Sequence, residues 1–424
     1  MDSLKQGEVY GSESGGRYEV VSKLGAGGQG EVYEVSDNGA RYALKWYFKR
    51  SATPRQKDII ENLIRIGAPD STFLWPQDVI VDTDGDTFGY VMPLRPPHFR
   101  GIADLMKRRA EPTFRALCRA AFSLTRGYEK LHEAGLAYGD ISFGNLFLDP
   151  DNGDVLICDN DNAASADVAP TVYGTPRFMA PEIVTGVAKP SRNTDLFSLS
   201  VLLFNMLMLH HPLEGELEKN IKCLDVPAMN RLYGTNPVFI YDPDNAANRP
   251  VAGEHDNAIV YWGVYPPRIR ELFTRAFTAG LDCPAKRVTE TEWKNALANL
   301  MFSIVVCDCG AELFCGDNPP TCWSCGRVLA VPVSLVSGRS RVLLQSGAVI
   351  TSHHANGDYD IDTVVGTVVQ NPANPALWGI RNDSRTDWTY IKPDGTQLSV
   401  PPGKSAGIAK GFQVDFGELV SKFI

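Results

Sequence analysis

The sequence predicts an α+β chain in which a large mixed domain is followed by a small cysteine-rich segment and an all-β domain. Three observations predict this order. Residues 18–95 alternate β-favouring runs with turns and one amphipathic helix, and residues 101–300 have mostly helical periodicity. Five cysteines lie close together between Cys307 and Cys325. Residues 331–417 are short β-favouring runs separated by turn residues, which is typical of a compact β domain.

Composition and charge exclude several classes of protein. The 424 residues include 41 basic and 50 acidic ones, which gives a net charge of −9. This balance argues against a nucleic-acid partner, which normally requires a basic surface. A hydrophobic content of 44% with 21% charged residues is typical of a folded chain. The apolar runs are too short to span a membrane and the N-terminus has no apolar signal core, so we expect a cytoplasmic protein.

A glycine-rich turn joins the first two long strands predicted in residues 18–48. Gly25, Gly27, Gly30 and Val32 give the spacing G-x-G-x-x-G-x-V. Glycines let backbone N–H groups approach phosphate oxygens closely, because no Cβ stands in the way. A dinucleotide-binding loop would open a helix, whereas β-favouring residues resume here at once. The pattern therefore predicts a strand–turn–strand loop over phosphates.

The strand that follows contains Ala43 and Lys45. An inward lysine beneath a glycine loop can bind the α- and β-phosphates of a nucleotide, and the alternative is a surface lysine on an edge strand. Residues 54–66 have helical spacing, with Pro54 suited to the first turn. Residues 78–94 favour a hairpin.

Four motifs and one arginine follow in the helical region. The motifs are YGDISFGN at 138–145, VLICDND at 155–161, GTPRFMAPE at 174–182 and NTDLFSLS at 193–200. The arginine is Arg287, in PAKRVTETEW. With the glycine loop and Lys45, these motifs resemble the protein kinase family and stand in that family's order.

The resemblance implies a bilobal protein-kinase fold over residues 1–302, with an N-lobe at about 16–95 and a C-lobe at about 96–302. More narrowly, the chain resembles bacterial Hanks-type (eukaryotic-like) serine/threonine kinases that carry a zinc-ribbon tail. Some of those belong to tellurite-resistance-associated systems with a PP2C-type phosphatase and a von Willebrand A-domain protein. The implied activity is transfer of the γ-phosphoryl group of ATP to protein hydroxyls, with Mg²⁺ or Mn²⁺.

The resemblance also assigns roles to the matching residues. Asp140 stands at the position of the catalytic base, and Asn145 and Asp159 stand at the Mg²⁺-ligand positions. Lys45 needs an acidic partner, for which Glu61 on the predicted helix is our choice.

Asp58 on the same helix is the alternative partner of Lys45. Adenine is expected in the hinge, where Met92 would be the gatekeeper and Arg95 would offer a backbone N–H. Asp195 matches an anchoring aspartate of the C-lobe, and Arg287 matches the arginine that pairs with Glu182.

Three departures from the family pattern leave a second hypothesis open. Tyr138-Gly139 replaces the usual His-Arg, Ser142 replaces a lysine, and Asn160-Asp161 replaces Phe-Gly. Asp161 would be the metal ligand if the motif were shifted by two residues. A catalytically weak or inactive pseudokinase that acts as a nucleotide-binding scaffold is therefore the alternative. We favour an active kinase because the four residues that bind ATP and Mg²⁺ are all present.

Three hydroxyl residues of the activation segment are singled out, namely Ser165, Thr171 and Tyr173. They are candidates for autophosphorylation or ordinary polar residues of a loop.

The clustered cysteines predict a structural zinc ribbon at residues 303–330. We assign the four ligands to Cys307, Cys309, Cys322 and Cys325, which leaves Cys315 spare. The pairing of Cys309 with Cys315 and a set of free thiols are the alternatives.

Residues 331–424 predict a small β-sandwich or barrel, similar either to forkhead-associated domains or to OB folds. His353 and His354 are expected on a strand, where adjacent side chains alternate in direction and seldom share a metal ion. We expect this domain to serve docking or regulation.

Overall fold

The computed structural model describes residues 4–82, 85–165 and 173–424. The described residues form two compact units. The first unit comprises Met1–Pro112, Ser123–Tyr261 and Glu271–Glu290, and the second comprises Thr113–Phe122, Trp262–Arg270 and Thr291–Ile424. The second unit thus takes in residues that precede position 303, where the sequence suggested a domain boundary.

The first unit begins with an antiparallel six-stranded sheet in the order β1-β2-β3-β4-β6-β5. Its strands are β1 (Val9–Gly11), β2 (Arg17–Ala26), β3 (Gly30–Asp37), β4 (Ala40–Tyr47), β5 (Asp78–Val81) and β6 (Phe88–Pro93). Alternate side chains of β2, β3 and β4 pack into one apolar cluster that includes Val20, Val35 and Leu44. The sheet starts at Val9, seven residues before the approximate N-lobe start at residue 16.

The glycine turn between β2 and β3 depends on one close backbone approach. The Gly27 N–H donates to the Gly30 carbonyl at 2.8 Å and closes the turn. A Cβ added at Gly30 would lie 2.2 Å from the carbonyl oxygen of Trp46 on β4, whereas a Cβ at Gly28 would meet no atom within 4 Å. Gly30 is therefore required by packing, because any side chain would push β3 away from β4.

The predicted helix over residues 54–66 is confirmed as α1 (Pro54–Ile66). The Thr53 hydroxyl accepts the N–H of Gln56 at 3.1 Å and caps the helix, and Gly67 ends it with a φ of 80°. The buried face of α1 consists of Gln56, Ile59, Ile60 and Leu63.

Helices make up most of the regular structure in residues 100–302. The helices are α2 (Ile102–Met106), α3 (Phe114–Glu133), α4 (Pro181–Val184), α5 (Arg192–Met208), α6 (Glu216–Lys219), α7 (Val226–Met229), α8 (Asp256–Val264), α9 (Pro267–Ala276), α10 (Ala279–Asp282) and α11 (Glu290–Phe302). The short strands between them are β7 (Arg100–Gly101), β8 (Leu136–Ala137), β9 (Leu146–Leu148), β10 (Val155–Ile157) and β11 (Ala164–Ser165). Every residue of α5 from Thr194 to Met208 is buried, as its apolar sequence predicts.

The second unit contains the cysteine-rich segment and the C-terminal sheets. A hairpin of β12 (Ile304–Val306) and β13 (Glu312–Phe314) begins the cysteine-rich segment. Two sheets follow, in the orders β15-β14-β23-β22-β19-β20 and β16-β17-β18-β21. Their strands are β14 (Ser334–Ser337), β15 (Ser340–Leu343), β16 (Val349–Thr351), β17 (Val364–Asn371), β18 (Asn374–Asn382), β19 (Trp388–Ile391), β20 (Gln397–Val400), β21 (Ser405–Gly407), β22 (Gln413–Asp415) and β23 (Val420–Phe423).

These two sheets are compatible with the all-β class predicted for residues 331–424. One local expectation was wrong: His353 and His354 lie on a short helix, α12 (Ser352–Asn356), and not on a strand. Thr351 caps this helix, and its N–H donates to Nδ1 of His354 at 3.1 Å. The capping interaction outweighs the β-favouring residues that come before it.

Candidate active site

A cleft of about 390 Å³ opens beneath the glycine turn. The turn supplies Gly25, Gly27, Gly30 and the neighbouring Val32, and the opposite side of the cleft supplies the residues Lys45, Asp140, Asp159 and Asn162. The structure therefore brings the predicted phosphate loop, the lysine and two of the predicted acidic residues to one cavity. Asn162 is a lining residue that the motifs did not indicate.

Lys45 lies inside the sheet and not on an edge strand. It stands on β4, where it pairs in register with Val32 of β3 and Tyr90 of β6, and only 6% of its surface is exposed. Its Nζ lies 2.8 Å from Oδ2 of Asp161 and 3.2 Å from Oδ1 of Asp159. Burial alone would lower the pKa of Lys45, but the two carboxylates outweigh it and raise that pKa. Lys45 is thus held as a cation.

The predicted ion pair between Lys45 and Glu61 is wrong. Glu61 is exposed and pairs with Lys57, one helical turn before it, at 3.3 Å. Asp58, the alternative partner, is also exposed. The reason is the phase of α1, whose buried face consists of the residues named above and does not include either acidic side chain.

Asp140 is held by hydrogen bonds from two sides. The Thr175 hydroxyl donates to its Oδ1 at 2.9 Å, and Nδ2 of Asn145 donates to its main-chain oxygen at 3.0 Å and to its Oδ2 at 3.5 Å. Burial raises the pKa of Asp140, and these hydrogen bonds oppose that shift. The result is a fixed carboxylate at the cleft, next to the amide predicted to bind metal.

Asp159 adopts an unusual backbone conformation. Its φ of 55° and ψ of 44° lie in the left-handed region. Non-glycine residues seldom adopt this region, and those that do are often found at functional sites. Its side chain is 43% exposed and lines the cleft, whereas the side chain of Asp161 is fully buried. The geometry favours Asp159 over Asp161 as the carboxylate available to a cation.

Hydrogen bonds to Asp195 anchor the loop that carries Asp140. Oδ2 of Asp195 accepts the N–H of Tyr138 at 2.6 Å, and its Oδ1 accepts the N–H of Gly139 at 3.1 Å. The Tyr138 hydroxyl, in place of the family's histidine, donates to the main-chain oxygen of Cys158. Asp195 thus has the anchoring position predicted for it.

The expected pair between Arg287 and Glu182 is present. The Nη1 and Nη2 atoms of the Arg287 guanidinium lie 2.7 and 2.8 Å from the two carboxylate oxygens of Glu182. This bidentate pair fixes the end of the segment that contains Thr175.

The hinge follows β6, which ends at Pro93. Met92 is buried and pairs in register with Ala43 across β4 and β6, and its gatekeeper role stays a prediction. The Arg95 side chain donates to the main-chain oxygen of Phe99 at 2.7 Å and lies over the ring of Phe147. The role expected of the Arg95 backbone N–H stays a prediction.

The family model for the protein kinase domain matches residues 18–251, which is more than half of the chain. This chain belongs to the protein kinase family. Among curated relatives, the kinase domain is similar to the serine/threonine-protein kinase pkn2 of Myxococcus xanthus, with 29% identity over 64% of this chain and 34% of the relative. It is also similar to the DNA damage-responsive serine/threonine-protein kinase RqkA of Deinococcus radiodurans, with 27% identity over 49% of this chain and 32% of the relative. The chain thus spans about a third of the length of these relatives.

The motifs did not indicate three further residues around Lys45. Oε1 of Gln29, in the glycine turn, lies 3.3 Å from the lysine Nζ. Tyr47 donates its hydroxyl to the Asp161 carboxylate, and Gln56 donates to the Asp161 main-chain oxygen at 2.8 Å. The available signal was the apolar period of α1, which places Gln56 on the buried face.

Four cysteines of the second unit form a cluster. The sulfur atoms of Cys307, Cys309, Cys322 and Cys325 all lie within 4.8 Å of one another. Two of the separations, Cys307 to Cys325 and Cys309 to Cys322, are 3.6 Å. A tetrahedral Zn²⁺ with bonds of about 2.3 Å would place its sulfur ligands about 3.8 Å apart. These residues therefore fit the ion.

The backbone around the cluster forms two tight turns. The Gly310 N–H donates to the Cys307 carbonyl at 2.8 Å, and the Gly326 N–H donates to the Cys322 carbonyl at 2.9 Å. Both glycines have positive φ, which explains a glycine after each cysteine pair. Cys315 contacts the carbonyl oxygen of Gly316 and lies outside the cluster, which disfavours the alternative pairing with Cys309.

The structure describes two of the three candidate autophosphorylation sites. Thr171, one of the candidate autophosphorylation sites, lies outside the described residues, whereas Tyr173 is described and half exposed.

Among the residues that the structure describes, no helix is both long and apolar enough to cross a membrane.

Proposed function

We propose that the chain is a serine/threonine protein kinase that transfers the γ-phosphoryl group of ATP to hydroxyls of protein substrates. The observation that carries the proposal is the placement of Lys45, Asp140 and Asp159 around one glycine-covered cleft, with Asn145 hydrogen-bonded to Asp140. Phosphoryl transfer requires positioning and neutralisation of charge, and these residue types supply both. The family match and the serine/threonine kinases among the relatives support it.

Each residue has a defined task in this proposal. Backbone N–H groups of the glycine turn and the ammonium of Lys45 would bind phosphate oxygens. Asn145 and Asp159 would hold Mg²⁺ or Mn²⁺, which supplies neutralisation of the phosphate charge when bound. Asp140 would orient the substrate hydroxyl and accept its proton. Thr175 donates to Asp140 and thereby fixes the carboxylate beside the place where a substrate hydroxyl must lie.

The test is incubation of the full chain with labelled ATP, Mg²⁺ and a general protein substrate. Wild type is expected to incorporate label, and Asp140→Asn and Lys45→Met are expected to lose nearly all of it. Lys57→Met is the matched control, because Lys57 is a lysine of α1 whose partners are Glu13 and Glu61. Nucleotide binding without transfer by wild type would favour the pseudokinase scaffold.

We also propose that Cys307, Cys309, Cys322 and Cys325 hold a structural Zn²⁺. The separations of their sulfur atoms and the two tight glycine turns beside the cysteine pairs support this. A closed set of four thiolates leaves no position for a substrate, so the ion would serve stability. Metal analysis of purified protein is expected to give one zinc per chain, and Cys325→Ser is expected to reduce that content.

The finer assignments rest on the resemblance alone. They are the bacterial zinc-ribbon subgroup, the forkhead-associated or OB type of the last domain, and partnership with a PP2C-type phosphatase and a von Willebrand A-domain protein. A cytoplasmic location is supported by the clustered thiols, which persist as metal ligands in a reducing compartment. Mixing the purified phosphorylated chain with such a phosphatase tests the partnership, with loss of label as the expected result.

A further inference from the structure

We infer that Asp161 is the positioning residue that holds Lys45 in the nucleotide cleft, in place of an acidic residue of α1. The inference rests on the proposed function, because it concerns the same site. It concerns a residue that stands where the family pattern has glycine.

The closest carboxylate to Lys45 is that of Asp161. Its Oδ2 lies 2.8 Å from the lysine Nζ, and both side chains are buried. Asp159 lies farther away, at 3.2 Å, and its side chain is 43% exposed to water. A charge pair is strengthened where water is excluded, and a buried charge is costly without a partner of opposite sign. The stronger of the two pairs is therefore the one with Asp161.

Two further side chains hold Asp161 in place. The Tyr47 hydroxyl donates to Oδ2, the same oxygen that faces Lys45. Nε2 of Gln56 donates to the main-chain oxygen of Asp161 at 2.8 Å and to the Tyr47 hydroxyl at 3.3 Å. Because Tyr47 lies two residues after Lys45 on β4, both side chains point to the same side of that strand. Helix α1 thus contributes a neutral amide to this network.

The backbone turn at Asp159 separates two tasks that one carboxylate cannot perform at once. The left-handed conformation at Asp159 starts a single turn over Asn160–Asn162, which directs Asp161 inward while Asp159 faces the cleft. With Asp161 neutralising Lys45, Asp159 remains available to a cation. The same arrangement makes the position of Lys45 independent of Glu61, which pairs with Lys57.

The experiment compares Asp161→Asn, Tyr47→Phe and Asp161→Glu with the matched control Glu61→Gln in the full chain. The measurements are KM for ATP, kcat on a general protein substrate, Kd for ATP with Mg²⁺, and the melting temperature. Loss of a buried charge partner predicts that Asp161→Asn lowers kcat/KM for ATP about a hundredfold. Tyr47→Phe removes one neutral donor and is expected to lower it several-fold, Asp161→Glu is expected to recover part of the loss, and Glu61→Gln is expected to stay within twofold of wild type.

The results separate this inference from the proposed function. Asp161→Asn within threefold of wild type, or a loss in Glu61→Gln as large as in Asp161→Asn, would overturn the role of Asp161 and leave the kinase activity standing. If Asp161→Asn does not fold, Tyr47→Phe decides, and an unchanged kcat/KM in that variant would overturn the inference. If wild type transfers no phosphoryl group, the proposed function fails, and the same ratios in the Kd for ATP test Asp161.

Discussion

Replacement of Arg287 tests whether one buried ion pair stabilises the C-lobe of the kinase domain. Arg287 is almost completely buried, and its guanidinium makes four hydrogen bonds. Two of these go to the carboxylate of Glu182, and the others go to the main-chain oxygens of Gly280 and Asn193. The substitution Arg287→Met keeps much of the apolar stem and removes only the charged group.

The expected loss is large because the partners of Arg287 stay behind. Glu182 has 18% of its side chain exposed and would remain as a charge with little solvent. Breaking one side of a buried pair costs about 3 to 5 kcal/mol in the free energy of unfolding. Typical domains have about 5 to 15 kcal/mol in total, so Arg287→Met is expected to remove a large part of it.

The assay is denaturation of the full chain by guanidinium chloride, followed by circular dichroism and tryptophan fluorescence. The matched control is Arg41→Met. Arg41 forms an ion pair with Glu34 at 3.2 Å, and half of the Arg41 side chain is exposed to solvent. Exposed pairs contribute about 0.2 to 1 kcal/mol. If Arg287→Met destabilised the protein no more than Arg41→Met, the reasoning from burial would be refuted.

Three further predictions concern the glycine turn, the cysteine cluster and a buried histidine. Gly30→Ala should weaken ATP binding at least tenfold by titration, because its Cβ would meet the Trp46 carbonyl, while Gly28→Ala should bind as wild type; equal affinities would count against this packing argument. A strong chelator should lower the melting temperature of wild type but not of Cys325→Ser, and an equal decrease in both would contradict a structural metal. Burial lowers the pKa of His354 to about 3, whereas a histidine of the unfolded chain has a pKa of about 6.5. The contribution of the neutral His354 to stability is therefore complete above about pH 6.5 and is lost as the pH falls. Acid unfolding of His354→Gln should depend less steeply on pH than that of wild type.

The sequence predicted the family and the elements that carry its motifs because these depend on short-range patterns. The glycine spacing, the cap and period of α1, and the apolar run of α5 each determine local structure within a few residues. The cysteine cluster was equally accessible, since the cysteine pairs and the glycines after them define two tight turns. The helix at His353 was missed because a cap by Thr351 ends the preceding strand, which residue propensities alone do not indicate.

The partner of Lys45 could not be predicted from motif positions, because it depends on the phase of one helix and the path of one loop. Ile59, Ile60 and Leu63 recur with helical period and identify the buried face of α1, so Glu61 could have been placed outside it from the sequence. The inward direction of Asp161 has no such signal, since it follows from the left-handed conformation of Asp159. A buried lysine on β4 requires a buried negative charge nearby. Once α1 offers only Gln56 on its buried face, that charge must come from another element, and Asp161 is the buried carboxylate that contacts Lys45.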